Sequence, residues 1–216
     1  MHAPHLPQDR RGFLQTTAAL TGTLLFPPAG PLAAPEAEGP NIVGPLAGYA
    51  PQVGTLVSMM QWMRRVVLQS VEGMGRADLD YLDYLHDRKA NSIGAMLLHL
   101  AGMETFYQLN TFAGRKWGDW DEADGRRWNA AVNLGEEARR TIRGNPPAYY
   151  LDRLHETREK TLSEFKQRDD AWLLSVDSGF VWGPTNNYCK WFHVCEHESN
   201  HNGQIRWIRS RLPGKD

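Results

Sequence analysis

The sequence predicts an all-α protein built as a four-helix bundle. Three observations carry that prediction. Four long stretches repeat apolar residues at three- and four-residue steps, the period of one helix face. Capping residues, proline and glycine punctuate the ends of those stretches. No run of alternating residues is long enough for a sheet, so the apolar stripes have only one another to bury against.

The first helix is expected over 51–72, with Val53, Leu56, Met60, Met63, Val67 and Val71 on its stripe. The segment GMGRADLDYLDYLHDRKA then breaks the pattern and leaves His86 in a loop. A second helix starts at Asn91-Ser92, both good N-cap types, and runs to Phe112 before Ala113-Gly114. It is apolar almost all round, which hints that a partner subunit of a homodimer covers part of it. The polar stretch 115–146 carries tryptophans and a short helix at 129–143. A third helix opens at Pro147, suited to a first turn, and bears Leu151, Leu154, Leu162 and Phe165, with Arg158 interrupting its stripe. The fourth begins near Thr185-Asn186 and ends before Pro213-Gly214.

The 216 residues are 41% hydrophobic and 23% charged with a net charge of -1, enough for one domain and a leader. That balance gives no electrostatic case for a nucleic acid or an anionic membrane as partner. The leader is residues 1–34. Its DRRGFLQTTAALTGTLLFPPAG, with Arg10-Arg11 ahead of Phe13-Leu14, resembles a twin-arginine export signal. The apolar run Phe13–Phe26 is shorter than the ~20 residues a bilayer span needs, so no stable span is expected after processing. Cleavage near Leu32-Ala33-Ala34 would remove Asp9, Arg10 and Arg11, a net +1, and leave -1 minus +1, or -2. The expected location is periplasmic or otherwise extracytoplasmic. Residues 35–50 read as a linker and 51–216 as the bundle. Cys189 and Cys195 fall about 120° apart and about 9 Å apart along one helix, which excludes a disulfide and predicts two packed thiols.

The fourth helix contains His197-Glu198-Ser199-Asn200-His201, an H-E-x-x-H. At about 100° per residue from Cys189, its apolar Val194, Ile205, Ile208 and Leu212 cluster at about 100–160°. His201 falls inside that stripe at about 120° and His197 beside it at about 80°, while His193 lies on the rim at about 40° and Glu196 faces solvent. Two histidines one turn apart on the core face can converge on one ion. The second helix offers His99 on a strip with Ala95, Met96, Met103 and Phe106. Burying three imidazoles separately would demand a partner for each, whereas one divalent ion satisfies all three. The expected metal ligands are therefore His99, His197 and His201.

The zinc-protease reading of H-E-x-x-H fails at its third ligand, because residues 202–216 contain neither Glu nor His. A di-iron site fails too, since Glu198-x-x-His201 is the sole E-x-x-H in the chain. Glu198, at about 180° and so about 60° from His201, is the candidate general base, with a surface arginine as its alternative partner. Glu104 is expected as a buried structural carboxylate, and Gln204 as a hydrogen-bond partner for a ligand histidine's second nitrogen. His155 reads as packing on the third helix. Trp117, Trp120, Trp128 and Trp182 either wall a cleft or cover the bundle's ends, with packing the better fit.

NSIGAMLLHLAGMETFY and WFHVCEHESNHNGQIRWIRSRLPG together resemble the DinB/YfiT-like family of metal-binding four-helix bundles, over about residues 50–214. The family pattern is similar to S-I-G-x-L-x-x-H-x-x-x-x-E and H-x-x-x-H-x-G-Q-I, with Met96 standing here for Leu. The resemblance implies His99, His197 and His201 as ligands of a divalent transition metal, nickel or zinc foremost. It also implies a metal-dependent hydrolase or a transferase using a low-molecular-weight thiol, acting on a small-molecule substrate. Three protein ligands leave a position open to water or substrate. Export would part the chain from a cytosolic thiol and so favours hydrolysis. The alternative is a non-enzymatic bundle whose metal ties helices together.

Overall fold

Four long helices carry the fold, and polar caps and prolines set their ends. The computed structural model describes residues 41–83 and 89–214. The leader, the first part of the linker and His86 lie outside the described residues. α1 is Pro51–Val71, α2 Arg76–Asp80, α3 Ile93–Thr111, α4 Glu122–Asn133, α5 Gly135–Thr141, α6 Pro147–Phe165 and α7 Asp170–Leu174. A two-residue antiparallel pair, β1 (Val176–Asp177) with β2 (Thr185–Asn186), leads into α8, Asn187–Arg209. Ser92 caps α3 by accepting from Ala95 N–H, and Asn186 caps α8 by accepting from Cys189 N–H. Pro51 and Pro147 occupy first-turn positions, where a missing N–H costs nothing. Asp170, on α7, accepts from the free N–H groups of Gln52 and Val53 and so ties α7 to the start of α1.

α1, α3, α6 and α8 form the bundle. α3 lies at its centre, against α2, α4, α6 and α8. That coverage within one chain accounts for its all-round apolarity, the feature that had suggested a partner subunit. The bundle also packs beyond its expected boundary at 51, since Leu46 and Tyr49 rest on the core and Gly44 N–H donates to Ser58 Oγ. Among the described residues no helix is long and apolar enough to cross a membrane.

The expected helix at 129–143 is two helices. Leu134 takes φ 53° and Gly135 φ 74°, a left-handed step that ends α4 and redirects the chain into α5. α2, α7 and the β pair are additional short elements, each too short to show a period in sequence.

Two apolar clusters fill the interior. Val53, Leu56, Met60, Phe165, Trp191 and Val194 pack at one end, and Val67, Val71, Ile93, Leu154, Ile205 and Ile208 at the other. Between them lies one charged residue from each bundle helix: Arg64, Glu104, Arg158 and Glu198, all buried. Arg64 Nη2 reaches Glu104 Oε2 at 2.8 Å and Glu198 Oε1 at 2.5 Å. Arg158 Nε reaches Glu104 Oε1 at 2.8 Å, and its Nη2 reaches Glu198 Oε1 at 2.8 Å. The Nη1 groups of Arg64 and Arg158 donate to the carbonyls of Leu154 and Met60. Two cations and two anions cancel within the cluster, which is the condition for burying charge.

Candidate metal centre

The structure brings His99, His197 and His201 together beside this ionic layer. His99 comes from the middle of α3, and the other two from successive turns of α8, which runs antiparallel to it. His99 Nε2 lies 3.1 Å from His197 Nε2, and His201 Nε2 lies 3.0 Å from the same atom. All three ligand atoms fall within 4.8 Å of one another. His99 and His201 are buried, and His197 is half-buried at the opening.

The second nitrogens decide which atoms face the centre. His99 Nδ1 lies 3.0 Å from the carbonyl oxygen of Ala131, so it carries the proton and donates, leaving Nε2 as a lone pair. That carbonyl is available because of how α4 ends. In a continuing helix it would accept from Gly135 N–H, but the turn at Leu134 sends that N–H to Asn91 Oδ1 at 2.9 Å. Ala131 is thus left with an orphan acceptor, and His99 takes it. α4 comes this close because α3 carries Gly102 at the crossing, where a Cβ would meet Val132 Cγ2 at 2.8 Å and Trp128 at 3.1 Å. His201 Nδ1 lies 3.1 Å from Gln204 Oε1, whose amide nitrogen donates to Asn200, so this Nε2 is also a lone pair.

Electrostatics keep the trio uncharged. Burial, then repulsion from His201, lowers the His99 pKa to about 4 against the pull of the Ala131 and Val132 carbonyls. Burial and the three neighbouring imidazoles lower His197 to about 3, and burial lowers His201 as well. Neutral imidazoles with converging lone pairs are the donor set of a divalent transition metal. Ligands ~2.1 Å from one ion stand about 3.0–3.4 Å apart for right-angle to tetrahedral arrangements, and the two spacings to His197, 3.0 and 3.1 Å, fit that range.

The other expected residues take varied places. Glu104 is the buried structural carboxylate expected: burial pushes its pKa up, but Arg158 and Arg64 outweigh that and bring it down to about 2. Gln204 serves a ligand histidine as expected, and that histidine is His201. Glu198 meets arginines in the core rather than at the surface. Its Oε1 accepts from Arg64 Nε, Arg64 Nη2 and Arg158 Nη2, while Oε2 is enclosed with no hydrogen-bond partner. That placement gives Glu198 a structural role and argues against its expected role as general base.

His193, expected on the rim, stacks on His197 with ring centroids 5.5 Å apart and has its Nδ1 3.3 Å from Glu196 Oε2. His155 faces solvent instead of packing. The two thiols are free as expected, but Cys189 is exposed, and burial, aided by Glu198, pushes the Cys195 pKa up to about 11. Trp128 is buried on α4, and Trp117 and Trp120 pack on Tyr107 and Phe106. Trp182 is exposed and meets His193 edge-on at 5.0 Å, at the mouth of the centre. A cavity of about 680 Å³ lies at the far end of α3 and α8, where the Lys190 ammonium is already held by Asn110 and Asp177.

Three solved structures share this fold. An uncharacterized protein from Clostridium difficile 630 superposes with a TM-score of 0.56 at 14% identity, covering 74% of this chain and 96% of that one. A protein from Streptococcus pneumoniae gives 0.56 at 12% identity, covering 74% and 91%. A conserved protein from Enterococcus faecalis gives 0.54 at 15% identity, covering 74% and 96%. No curated protein matches the chain. A family model described as mycothiol-S-transferase matches residues 55–214, a span that takes in all four bundle helices from the first turns of α1 and all three histidines. The chain therefore belongs to the mycothiol-S-transferase family, within the DinB/YfiT-like bundles.

Proposed function

We propose that the chain is a divalent-metal-dependent S-transferase that joins a low-molecular-weight thiol, mycothiol by the family's name, to a small electrophile. The observation that carries this reading is the convergence of three imidazole lone pairs within 4.8 Å, those of His99 and His201 each 3.0–3.1 Å from that of His197, and two of the rings fixed by carbonyl acceptors behind them. His99, His197 and His201 would hold the ion, with nickel and zinc both suited to imidazole ligands. When bound, the ion supplies Lewis acidity that makes an approaching thiol or water easier to deprotonate. The family match lies in residues 55–214 and not in the leader, and it moves the balance from hydrolysis to thiol transfer.

In the transfer, the thiol S–H loses its proton, the S–C bond forms, and the leaving group departs from the electrophile with its electron pair. His193 is placed to take that proton toward solvent. It is about one-third exposed, stacks on His197 and has Glu196 on its outer nitrogen. Trp182 shields the same side. The ionic layer keeps α8 in register, so that its two histidines meet His99.

The test pairs metal content by mass spectrometry with conjugation of mycothiol to monochlorobimane. The wild type, loaded with nickel or zinc, is expected to hold about one ion per chain. His99→Ala, His197→Ala and His201→Ala should lose both the ion and conjugation. His193→Ala should keep the ion and conjugate on the order of 10–100-fold more slowly. A metal-loaded wild type that conjugates no thiol would overturn the transferase reading and leave the ion as a tie between α3 and α8. Failure to bind any ion would reduce the histidines to packing.

A further inference from the structure

Gly203 stands inside α8, where glycine is the least favourable residue after proline. Nothing within 4 Å would oppose a Cβ there, so no contact within the described residues requires the glycine. Gly203 lines a cleft of about 520 Å³ at the α3 N-terminal end, walled also by Lys89, Asn91, Met96, Gln204, Trp207 and Ile208. That volume falls in the range of small-molecule sites. Thioether, indole and aliphatic carbon make up much of the wall, Lys89 is charged, and no carboxylate lines it among the described residues.

The cleft is lined by neighbours of the histidines on both helices. Gln204 forms part of its wall and holds His201 Nδ1 at 3.1 Å. Met96 sits one turn before His99 on α3. On α8, Trp207, Gln204 and Ile208 fall at about 0°, 60° and 100°, the same arc as His197 at about 80°. The Arg211 guanidinium lies 3.8 Å from the Trp207 ring and helps to fix the indole.

We propose that this cleft binds the flat apolar part of the electrophilic substrate, with Trp207 and Met96 as its walls and Gly203 kept small to leave it room. The substrate class is then an electrophile that carries an aromatic-sized group and no positive charge, its reactive carbon directed toward the histidines. This rests on the S-transferase reading for what happens to the electrophile, but not for its binding.

Binding is measured with dansyl amide, a flat, uncharged and unreactive probe, by its fluorescence on the full chain with and without zinc. Gly203→Leu and Gly203→Ala occupy the space, and Trp207→Ala removes a wall. Wild type is expected to bind, with affinity lower by about tenfold or more in Gly203→Leu and Trp207→Ala. Gly203→Ala should melt higher than wild type, bind its full complement of zinc, and bind the probe more weakly. Probe affinity unchanged in Gly203→Leu and Trp207→Ala, or no binding to wild type at millimolar probe, would overturn the proposal. The two readings fail separately: a wild type that binds dansyl amide in the cleft yet conjugates no thiol keeps the cleft and loses the transferase.

Discussion

Arg158 Nη2 on α6 donates a 2.8 Å hydrogen bond to Glu198 Oε1 on α8, inside the core and between two apolar clusters. Glu198 lies between His197 and His201 in sequence, so this contact and the parallel one from Arg64 fix the segment that carries two of the three imidazoles. Glu198→Gln keeps the shape but leaves two guanidiniums facing one carboxylate. Removing one partner of a buried ionic group costs about 3–5 kcal/mol, so the metal-free variant should melt lower by on the order of 10 °C. Its zinc content should stay near that of wild type. If instead the melting temperature holds and conjugation alone collapses, Glu198 is the proton acceptor that the sequence suggested.

This ionic layer marks the limit of what the sequence made legible. The stripes were readable because Val53, Met60, Val67 and Val71 repeat at helical steps, and Arg64 sits on that same repeat. Arg158 reads as an interruption of its stripe, and Glu198 falls beside His201 on the core side of its wheel. Each residue alone looks like a flaw in an apolar face. Their meaning lies in the sum across four helices, two positive and two negative, which no single-helix period contains. The histidine trio was legible for the opposite reason: a repeat of four on α8 and a matching histidine on α3 need only one shared interior. The Ala131 carbonyl that orients His99 was not, because a backbone acceptor freed by a left-handed turn has no side chain to announce it.

That carbonyl leads to a test of orientation rather than ligation. Gly102→Ala would put a methyl 2.8 Å from Val132 Cγ2, a stiff β-branched side chain, so α4 must shift by a few tenths of an ångström. Overpacking of this kind costs about 1–3 kcal/mol. The shift also loosens the bond that His99 Nδ1 donates to the Ala131 carbonyl, and losing a ligand's outer partner weakens metal binding by about 10–100-fold. Competition for zinc against a chelator, with unfolding followed in parallel, reads both effects. Zinc affinity equal to that of wild type would mean that Ala131 does not orient the ligand.

The trio's pKa values give the metal-free protein a defined response to acid. Burial first, then mutual repulsion, holds His99 at about 4 and His197 at about 3, against an ordinary value of 6.5. Below 6.5 the unfolded chain binds protons at these positions, while the folded chain does not until the lower values are reached. Stability therefore rises with pH across the window from about 4 to 6.5 and is lost as pH falls through it. For His99 the difference of 2.5 corresponds to about 3 kcal/mol. Glu104 acts in a separate window: with its pKa held at about 2 against 4.5, its contribution is present above 4.5 and lost only as pH falls from there toward 2. Urea unfolding of metal-free protein at pH 7.5 and pH 5 should accordingly show a lower midpoint at pH 5, and His99→Leu should lose no more than about half of that difference, because His197 acts across the same window. Added zinc should raise the midpoint far more at pH 7.5 than at pH 5, because protons compete for the same lone pairs. Equal midpoints at the two pH values without metal would show that the imidazoles are not held neutral by burial, and would remove the electrostatic basis for reading them as ligands.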